Sequence, residues 1–271
     1  MRAIDNSPTS HTRDCDSSRD DNPELTLVSR LTSWDLVVLG QVAESSNYTF
    51  LCKLTPPVMA GLQEGSRLDH GDELLAIFKP VGGERPLWDF PPGLFRREIA
   101  AYRMSQLLGW DLVPVTLERS HDQLGTGSLQ LFIQADFSLT YFELFEQNQY
   151  RDQLVRLAIF DILVNNSDRK AGHVLIDSRE KIWAIDNGLS FHEEPKLRTV
   201  IWDFQGEPIE KSLIAQIESA LSRPDRLNEQ LEGLITEREL KALSTRARAL
   251  VDTPFLPYIP QGTRPFPWPL I

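Results

Sequence analysis

The protein has 271 residues, 41% hydrophobic and 25% charged, an ordinary globular balance that excludes wholesale disorder and fibrous repeats. Its formal net charge of −11, without a long basic run, disfavours a nucleic-acid partner. The 2 cysteines exclude a disulfide framework, and no apolar stretch reaches the ~20 residues that span a bilayer, so we expect a cytoplasmic protein without a stable membrane anchor.

The first half of the chain predicts a small sheet and one helix. Residues 1–24 are polar and acidic, which predicts a disordered tail. A helix or extended segment follows, then the run WDLVVLGQVA and a turn at ESSN. The runs TFLCKLTPP and ELLAIFKPV predict antiparallel strands, the second of which ends at Lys79. LFRREIAAYRMSQLLG predicts a helix that ends near Gly109.

The remaining elements alternate short strands with helices. VPVTLE and SLQLFIQ predict a hairpin, with Gly125 and Gly127 in its turn. RDQLVRLAIFDILVNN predicts an apolar helix, and HVLID and KIWAID predict two short strands. Residues 210–222 and 236–251 have helical spacing, and the prolines after Thr253 predict an extended strap.

These elements predict an α+β fold in two lobes that meet near residue 135. The N-lobe, residues 25–134, would hold an antiparallel sheet and a helix. The C-lobe, residues 135–271, would be mainly helical and carry the loops with the reactive side chains.

Two carboxylates follow regular elements of the C-lobe. Asp168 comes after the apolar helix, and Asp186 comes after a short strand and before Asn187-Gly188. Loops of this kind can face one cleft, where phosphoryl transfer needs one carboxylate for the attacking hydroxyl and another for Mg²⁺. The alternatives are a turn-forming Asp168 paired with Arg169, and a type I′ turn at Asp186.

The combined motifs resemble the phosphatidylinositol 3-/4-kinase-like superfamily, especially type II lipid 4-kinases, toxin kinases of persistence modules and an actinobacterial kinase-like family. That pattern is Asn-x-Asp-Arg, a metal-binding Asn, and Ile-Asp-x-Gly. The matching residues are Asn166-Ser167-Asp168-Arg169, His173 and Ile185-Asp186-Asn187-Gly188. Upstream, AIFKP, which ends in Lys79-Pro80, looks like the family's nucleotide-binding strand. REIAAY carries Glu98 at the position where a helix carboxylate of the family usually pairs with that lysine. The resemblance covers residues 38 to 200 and implies a two-lobed protein-kinase-like fold.

The resemblance also implies ATP with Mg²⁺ or Mn²⁺ as cofactors, and a role for each matched residue. Asp168 would orient or deprotonate the acceptor, and Arg169 would position the catalytic loop. Asp186 and His173 would hold the metal. The residues expected to bind the nucleotide are Lys79, Glu98, Ser45, Ser46, Asn47, Phe132, Ile133 and Gln134.

Each of these residues has a structural alternative. Lys79 would be a strand-end lysine in water, and Glu98 a surface partner of Arg96 or Arg97. The Ser45–Asn47 segment lacks the glycines usual in a phosphate loop and is also typical of a plain turn. Residues 132–134, at the expected inter-lobe hinge, would be an ordinary buried strand.

His173 departs from the family pattern, which has Asn at this position. An imidazole nitrogen suits Mn²⁺ or another transition ion better than Mg²⁺. The other options are that His173 binds phosphate as a cation or binds nothing.

The sequence therefore predicts an ATP-dependent phosphotransferase that acts on a hydroxyl of a protein or small molecule. A catalytically impaired pseudokinase or scaffold is the alternative, and a third option transfers the nucleotide instead of the phosphate. Without clustered cysteines or a polybasic amphipathic helix, a lipid acceptor is the less favoured one.

Overall fold

A five-stranded antiparallel sheet followed by a mainly helical region makes up the computed structural model, which describes residues 23–43, 47–57 and 73–271. The order in the sheet is β1-β2-β3-β5-β4. Its strands are β1 (Asp35–Gln41), β2 (Phe50–Thr55), β3 (Leu74–Pro80), β4 (Thr116–His121) and β5 (Gly125–Leu131). A second sheet pairs β6 (Val174–Ile176) with β7 (Ile182–Ala184). The predicted α+β class is confirmed.

Helices enclose the large sheet on one side and build most of the region after it. They are α1 (Pro23–Ser33), α2 (Leu94–Leu108), α3 (Tyr141–Phe145), α4 (Arg151–Val164), α5 (Lys211–Leu221), α6 (Pro224–Leu231) and α7 (Glu237–Asp252). Short 3-10 helices lie at Val81–Gly83, Asn148–Tyr150 and Ala171–His173. The sequence did not predict α3 or α6, although Thr140 and Glu143 form a capping box at the start of α3.

Pro23 and Glu24, which were predicted to belong to the 1–24 tail, are helical in the structure. Helix α1 begins at Pro23, and residues 1–22 lie outside the described residues. Glu24 accepts a hydrogen bond of 2.7 Å from the Tyr102 hydroxyl on α2. Arg119 on β4 donates to the carbonyls of Leu31 and Trp34 at 2.8 and 2.6 Å. These bonds hold α1 against α2 and β4.

Strand β3 alternates a buried and a partly exposed face, which leaves Lys79 on the accessible side between buried Phe78 and Pro80. Its neighbour β5 contains Gly127, directly opposite Pro80. A Cβ at Gly127 would overlap the Lys79 carbonyl, so only glycine allows the two strands to approach at this point. The prediction that Gly127 forms the hairpin turn is therefore wrong; Gly125, with φ +74°, begins β5.

Helix α2 is buried on nearly all sides because it packs between the sheet and the C-terminal helices α5 and α6. Its N-cap is Gly93, which has no side chain to offer. The carboxylate of Glu84 takes that place and accepts from the amides of Gly93 and Phe95 at 2.8 and 2.9 Å. The helix ends at a left-handed Gly109, as predicted.

One hydrophobic core crosses the proposed lobe boundary near residue 135, which falls between β5 and α3. It includes Phe78 on β3, Ala101 on α2, Phe160 on α4 and Leu243 on α7. Burying a large apolar side chain contributes roughly 1.5–3 kcal/mol. The sheet and the helical region are thus held together by shared packing.

After Asp252 the chain has no regular helix, as its prolines predict. This strap follows the helical region back to the loop after α4. The Thr199 amide donates to the Pro265 carbonyl at 3.0 Å, and the Ala171 amide donates to the Leu270 carbonyl at 2.8 Å. The strap therefore supports the backbone between Arg169 and His173.

A buried ion pair joins α2 to α7. Arg97, 3% exposed, donates to Glu239, 6% exposed, at 2.6 Å and to the Ser190 carbonyl at 3.0 Å. The other carboxylate oxygen of Glu239 caps α7 by accepting from Thr236. The pair fixes the rotation of α2 relative to the helical region.

We predict that Glu239→Gln lowers the free energy of unfolding by about 2 kcal/mol, because the buried Arg97 loses its counter-charge while the cap is kept. Chemical denaturation followed by circular dichroism measures this. The control Glu237→Gln removes an exposed charge from the same turn and should change the free energy by less than about 0.5 kcal/mol. Equal effects of the two substitutions would contradict the role of the pair.

Candidate active site

Lys79 lies between two carboxylates from distant parts of the chain. Its Nζ is 2.5 Å from Glu98 on α2 and 2.9 Å from Asp186 after β7. Burial alone would lower the pKa of Lys79, but Asp186 and Glu98 outweigh it and raise this pKa above its usual range. The ammonium is therefore charged, and the alternative of a strand-end lysine in water is wrong.

Glu98 connects the lysine to the backbone of the loop that carries Asp186. Its side chain is 2% exposed, and its second oxygen accepts from the Asn187 amide at 2.9 Å. Gly188 lies directly against this carboxylate, since a Cβ there would be 3.4 Å from Glu98 Oε1, the distance of an ordinary van der Waals contact. The surface alternative for Glu98 is wrong; its neighbour Arg97 binds Glu239 instead.

Asp186 is held in an unusual backbone conformation. Its φ is +56°, in the left-handed region that non-glycine residues seldom adopt. Neither Asn187 nor Gly188 has a positive φ, so the type I′ turn is wrong. Burial would raise the pKa of Asp186, yet Lys79 and His173 more than compensate and hold this pKa far below its usual range.

Asp168 lies in the loop after α4, partly buried beside Lys170 at 3.5 Å. Its backbone amide donates to the Asn166 side chain at 2.9 Å, which orients the loop. Burial is the main cause that raises the pKa of Asp168 from 3.8 to about 6; Lys170 opposes this shift and Asp186 adds to it. The carboxylate thus faces a partly desolvated space.

Arg169 does not reach that space. Its side chain is 0% exposed and forms a salt bridge of 3.0 Å with Asp161 on α4. It also donates to the Ile185 carbonyl and the Asn187 side chain, both at 2.6 Å. Arg169 therefore supports the Asp186 loop from behind, and the alternative of a local pair between Asp168 and Arg169 is wrong.

His173 faces Asp186 from the opposite side to Lys79. Its Nε2 lies 3.2 Å from Asp186 Oδ2, and its Nδ1 lies 3.1 Å from the Asp168 carbonyl. Burial lowers the pKa of His173 to about 4, with Arg169 and Lys170 adding to the effect of burial. A lowered pKa favours the neutral ring, the form that ligates metals.

These side chains border one cavity of about 260 Å³ between the sheet and the helical region. Lys79, Glu98, Asp168 and Asp186 line it, together with Gly188. His173 touches Asp186 from outside this lining. The predicted lysine and two catalytic carboxylates are thus brought together.

Asn47 also lines the cavity, at the end of the β1–β2 connection. Its side-chain oxygen accepts from the Arg85 amide at 2.9 Å, and the Tyr48 amide donates to the Gly83 carbonyl at 3.0 Å. Asn47 therefore fastens this connection to the segment after β3. The predicted nucleotide contacts Ser45 and Ser46 lie outside the described residues.

The expected hinge lies in the link after β5 and does not border the cavity. The Phe132 amide continues the sheet by donating to the Leu75 carbonyl at 3.0 Å. Ile133 is buried, as the buried-strand alternative expected, whereas Gln134 is exposed. Within the described ranges, no backbone hydrogen bond engages the amides of Ile133 and Gln134.

An apolar cluster lies between this link and the charged cavity and includes Ile133 of the link itself. Ile133 packs with Leu175 and Trp183, and Ile185 packs against the same cluster. Because Ile185 directly precedes Asp186, the cluster extends from the link to the carboxylate. A flat apolar group held beside the link would therefore lie next to the charged site.

The donor set decides which cation the site suits. Asp186 and His173 supply one carboxylate and one neutral imidazole, and the described residues contain no cluster of three or more metal-ligating side chains. These two groups fit a divalent cation that takes its other ligands from phosphate oxygens and water. A closed structural metal site is not formed by this part of the chain.

Sequence reasoning missed several supporting residues, of which Asp161 had the clearest signal. It is an acidic residue inside the apolar run of α4, and a buried charge of that kind needs a partner. The partner is Arg169, eight positions later. Glu84, Arg97 and Glu239 had no such signal, because their partners lie far away in sequence or are backbone amides.

The profile of the family phosphatidylinositol 3- and 4-kinase matches residues 98–234, from the lysine-pairing Glu98 past both loop aspartates. The chain belongs to this family. The predicted resemblance is therefore confirmed, and with it the two-lobed, kinase-like character of the fold. Family membership supports a phosphotransferase.

Individual relatives were also found. "Protein Rv2133c" of Mycobacterium tuberculosis is 38% identical to this chain, with 88% of this chain and 93% of that protein covered. Hydra Fam20, solved with sugar, has a TM-score of 0.47 and 14% identity, with 86% of this chain and 89% of that chain covered. The Helicobacter pylori proinflammatory kinase CtkA has a TM-score of 0.46 and 12% identity, with 83% of this chain and 94% of that chain covered.

We predict opposite effects on stability when each aspartate is neutralised in protein without added metal. The pKa of Asp168 is higher in the folded chain than in the unfolded chain, so its ionisation destabilises the fold as pH rises from about 4 to about 6. Asp168→Asn should raise the free energy of unfolding at about pH 7.5 by roughly 2 kcal/mol, a gain that disappears below about pH 4.

The matched substitution Asp186→Asn should lower the free energy of unfolding at about pH 7.5. Asp186 has a lowered pKa, so its ionised form stabilises the fold, and the loss of one partner of Lys79 should cost about 1 kcal/mol after screening by solvent. Urea titrations at the two pH values measure both effects. The same sign of change for both variants would show that the assigned environments are wrong.

Proposed function

We propose that this protein is an ATP-dependent kinase that transfers a phosphoryl group to a hydroxyl of a protein or small molecule. The observation that carries this proposal is the convergence of Lys79, Asp168 and Asp186 on one cavity. Phosphoryl transfer requires charge neutralisation, a positioned acceptor and a metal-binding carboxylate, and these three residue types supply all of them.

Lys79 would neutralise the nucleotide phosphates, because its ammonium stays charged between Glu98 and Asp186. Asp186 and His173 would hold Mg²⁺ or Mn²⁺, which when bound offsets negative charge on the phosphates. Asp168 would accept or orient the acceptor hydroxyl from the other side of the cavity. Arg169 would act as a positioning residue, since its side chain is fully buried and binds Asp161, the Ile185 carbonyl and Asn187.

The adenine base would lie against the apolar cluster of Ile133, Leu175 and Trp183. One free amide of this link, that of Ile133 or Gln134, would donate to a ring nitrogen of the base, as backbone groups commonly do in nucleotide sites. The nucleotide would then run past Ile185, which packs against this cluster, toward Asp186. A cytoplasmic location remains part of this proposal, and no helix among the described residues could cross a membrane.

The pseudokinase alternative rested on His173 and on the glycine-poor β1–β2 turn. Two observations speak against the pseudokinase. Lys79 forms ion pairs with both Glu98 and Asp186, and Asp168 lines the cavity. A non-catalytic scaffold has no need for a partly desolvated aspartate, whose burial weakens the fold. These contacts favour the enzyme.

We predict that Lys79→Ala weakens ATP binding by about tenfold or more, because a paired ammonium is removed from the phosphates. Asp168→Ala should leave ATP affinity within about threefold and reduce turnover by at least about 100-fold. Calorimetry with ATP and Mn²⁺ gives the affinity, and release of labelled phosphate gives the turnover. Lys53→Ala on the adjacent strand β2, where Lys53 pairs with exposed Glu73, is the matched control.

The position of the label separates the two transfer reactions. Incubation with γ-labelled ATP should label an acceptor or the protein itself, whereas α-labelled ATP should not. Label transferred only from the α position would identify nucleotidyl transfer. ATP binding without any transfer or hydrolysis would identify the pseudokinase.

We predict that His173→Asn shifts the metal preference toward Mg²⁺, because an amide oxygen is a harder ligand than an imidazole nitrogen. The ratio of turnover with Mn²⁺ to that with Mg²⁺ should fall by about threefold or more. Direct Mn²⁺ binding, measured by electron paramagnetic resonance in the presence of ATP, should weaken in parallel. An unchanged ratio and unchanged Mn²⁺ binding would exclude His173 from the metal site.

A further inference from the structure

A second cavity, of about 900 Å³, lies in the helical region and contains none of the residues of the candidate active site. It is formed by residues 193–198, by helix α7 and by the strap from Pro257 to Arg264. We call it the basic groove. Its cationic side chains are Lys196, Arg198, Arg238, Lys241, Arg246 and Arg264.

The charge of the basic groove is opposite to that of the whole protein. The groove has 6 cationic side chains and 2 acidic ones, Glu193 and Glu194, whereas the chain carries a formal net charge of −11. Such a local excess produces a positive potential that attracts anions. A local excess of positive charge in an acidic protein is the feature expected of a site for an anionic ligand.

Half of these cations have no acidic partner in the part of the chain that the structure describes. Arg198, Lys241 and Arg264 have none, and Arg238 lies at 4.0 Å from Glu193, both largely exposed. Lys196 forms a shorter salt bridge, of 2.9 Å, with Asp89. Positive charge therefore remains available for a ligand.

Arg246 adds a fixed positive charge to the wall of the groove. Its Nε donates to the Leu163 carbonyl at 2.9 Å, which fixes the guanidinium, while its Nη2 is buried and has no hydrogen-bond partner among the described residues. Burial lowers the pKa of Arg246 to about 10. A buried donor without a partner is costly, so Arg246 is held in the wall of the groove at the expense of one hydrogen bond and adds positive charge there.

The wall of the groove is continuous with the catalytic loop. Asn165 lines the groove, and its side chain accepts from the Lys196 amide at 2.9 Å and donates to the Glu194 carbonyl at 2.7 Å. The Arg198 amide donates to the Asn166 carbonyl at 2.9 Å, two residues before Asp168. A chain segment bound in the groove therefore lies beside the loop that presents Asp168.

The groove also has apolar surface between its charges, from Ile162, Trp202, Pro257 and Tyr258 among others. A single phosphate could engage only two or three of the cations, which come from three separate segments. An extended peptide carries charged and apolar side chains at regular spacing and matches this mixed lining. The volume is more than three times that of the active-site cavity.

We infer that the basic groove binds an acidic peptide segment of the protein acceptor and holds it beside the catalytic loop. The link to an acceptor rests on the proposed kinase function, whereas peptide binding itself does not. Recognition would combine carboxylates on the arginines and lysines with apolar side chains on Trp202 and Tyr258.

The test is fluorescence anisotropy on the full chain without nucleotide. The labelled probe is a peptide of Asp and Glu interspersed with Leu and Phe, compared with the same peptide carrying Asn and Gln. We expect the acidic peptide to bind at least about tenfold more tightly and to lose affinity as salt increases. Lys241→Glu combined with Arg264→Glu should reduce that affinity at least about tenfold.

The matched control is Arg248→Glu on the same helix, an exposed arginine outside the groove lining. It should change the affinity by less than about twofold. Equal binding of the acidic and neutral peptides, or equal effects of groove and control reversals, would overturn the inference. The inference would also be overturned if the acidic peptide did not bind but phosphatidylserine vesicles did, and if the Lys241→Glu and Arg264→Glu reversals weakened that vesicle binding.

These readouts separate the groove from the enzyme. Acidic-peptide binding that is lost in the groove variant supports the inference even if no transfer from ATP is detected, a result that would contradict only the proposed function. Transfer from ATP with no selective peptide binding would support the proposed function and overturn the inference.

Discussion

The charged group on Lys79 organises the cleft, because three elements far apart in sequence meet at this one ammonium. Strand β3 supplies the lysine, α2 supplies Glu98, and the loop after β7 supplies Asp186. A partly buried ammonium is stable only when anions surround it. Each carboxylate thus lowers the cost of burying the charge and is in turn held in place by it. The proposed metal-binding and phosphate-binding positions would therefore be coupled through this lysine.

Helix α2 has to keep a fixed position for that arrangement to persist. Two adjacent residues hold it from different sides: Glu98 points to Lys79, and Arg97 points to Glu239 and the Ser190 carbonyl. Glu84 secures its first turn. Behind the cleft, Arg169 binds the backbone of the Asp186 loop. The site is therefore assembled by contacts within the protein itself, and a nucleotide would meet a preorganised set of charges.

The parts predictable from sequence were those with a local signal. Periodic apolar residues predicted the strands and the long helices, and the motifs around Lys79, Asp168 and Asp186 predicted which side chains converge. Gly127 was predicted to lie in a turn because glycine is common in turns. Glycine is equally consistent with a close approach of two strands, and only knowledge of the partner strand distinguishes these two uses. The pairing of Arg97 with Glu239 depends on a tertiary contact across 142 positions, which no local pattern contains. The pair of Asp161 and Arg169, 8 positions apart, had a signal only in the charge of Asp161 inside an apolar helix. The basic groove likewise combines cationic residues from three separate segments. Because no segment by itself contains a basic run, the sequence did not predict the groove.

The most direct test of the central claim is a crystal structure with a non-hydrolysable ATP analogue and Mn²⁺, using anomalous scattering to locate the metal. We expect an anomalous peak between Asp186 and His173, and phosphate oxygens at about 3 Å from Lys79 Nζ. The analogue's base should lie against Ile133 and Leu175. A metal peak away from Asp186, or an analogue bound outside the cavity between Lys79 and Asp168, would contradict the assignment of this cleft.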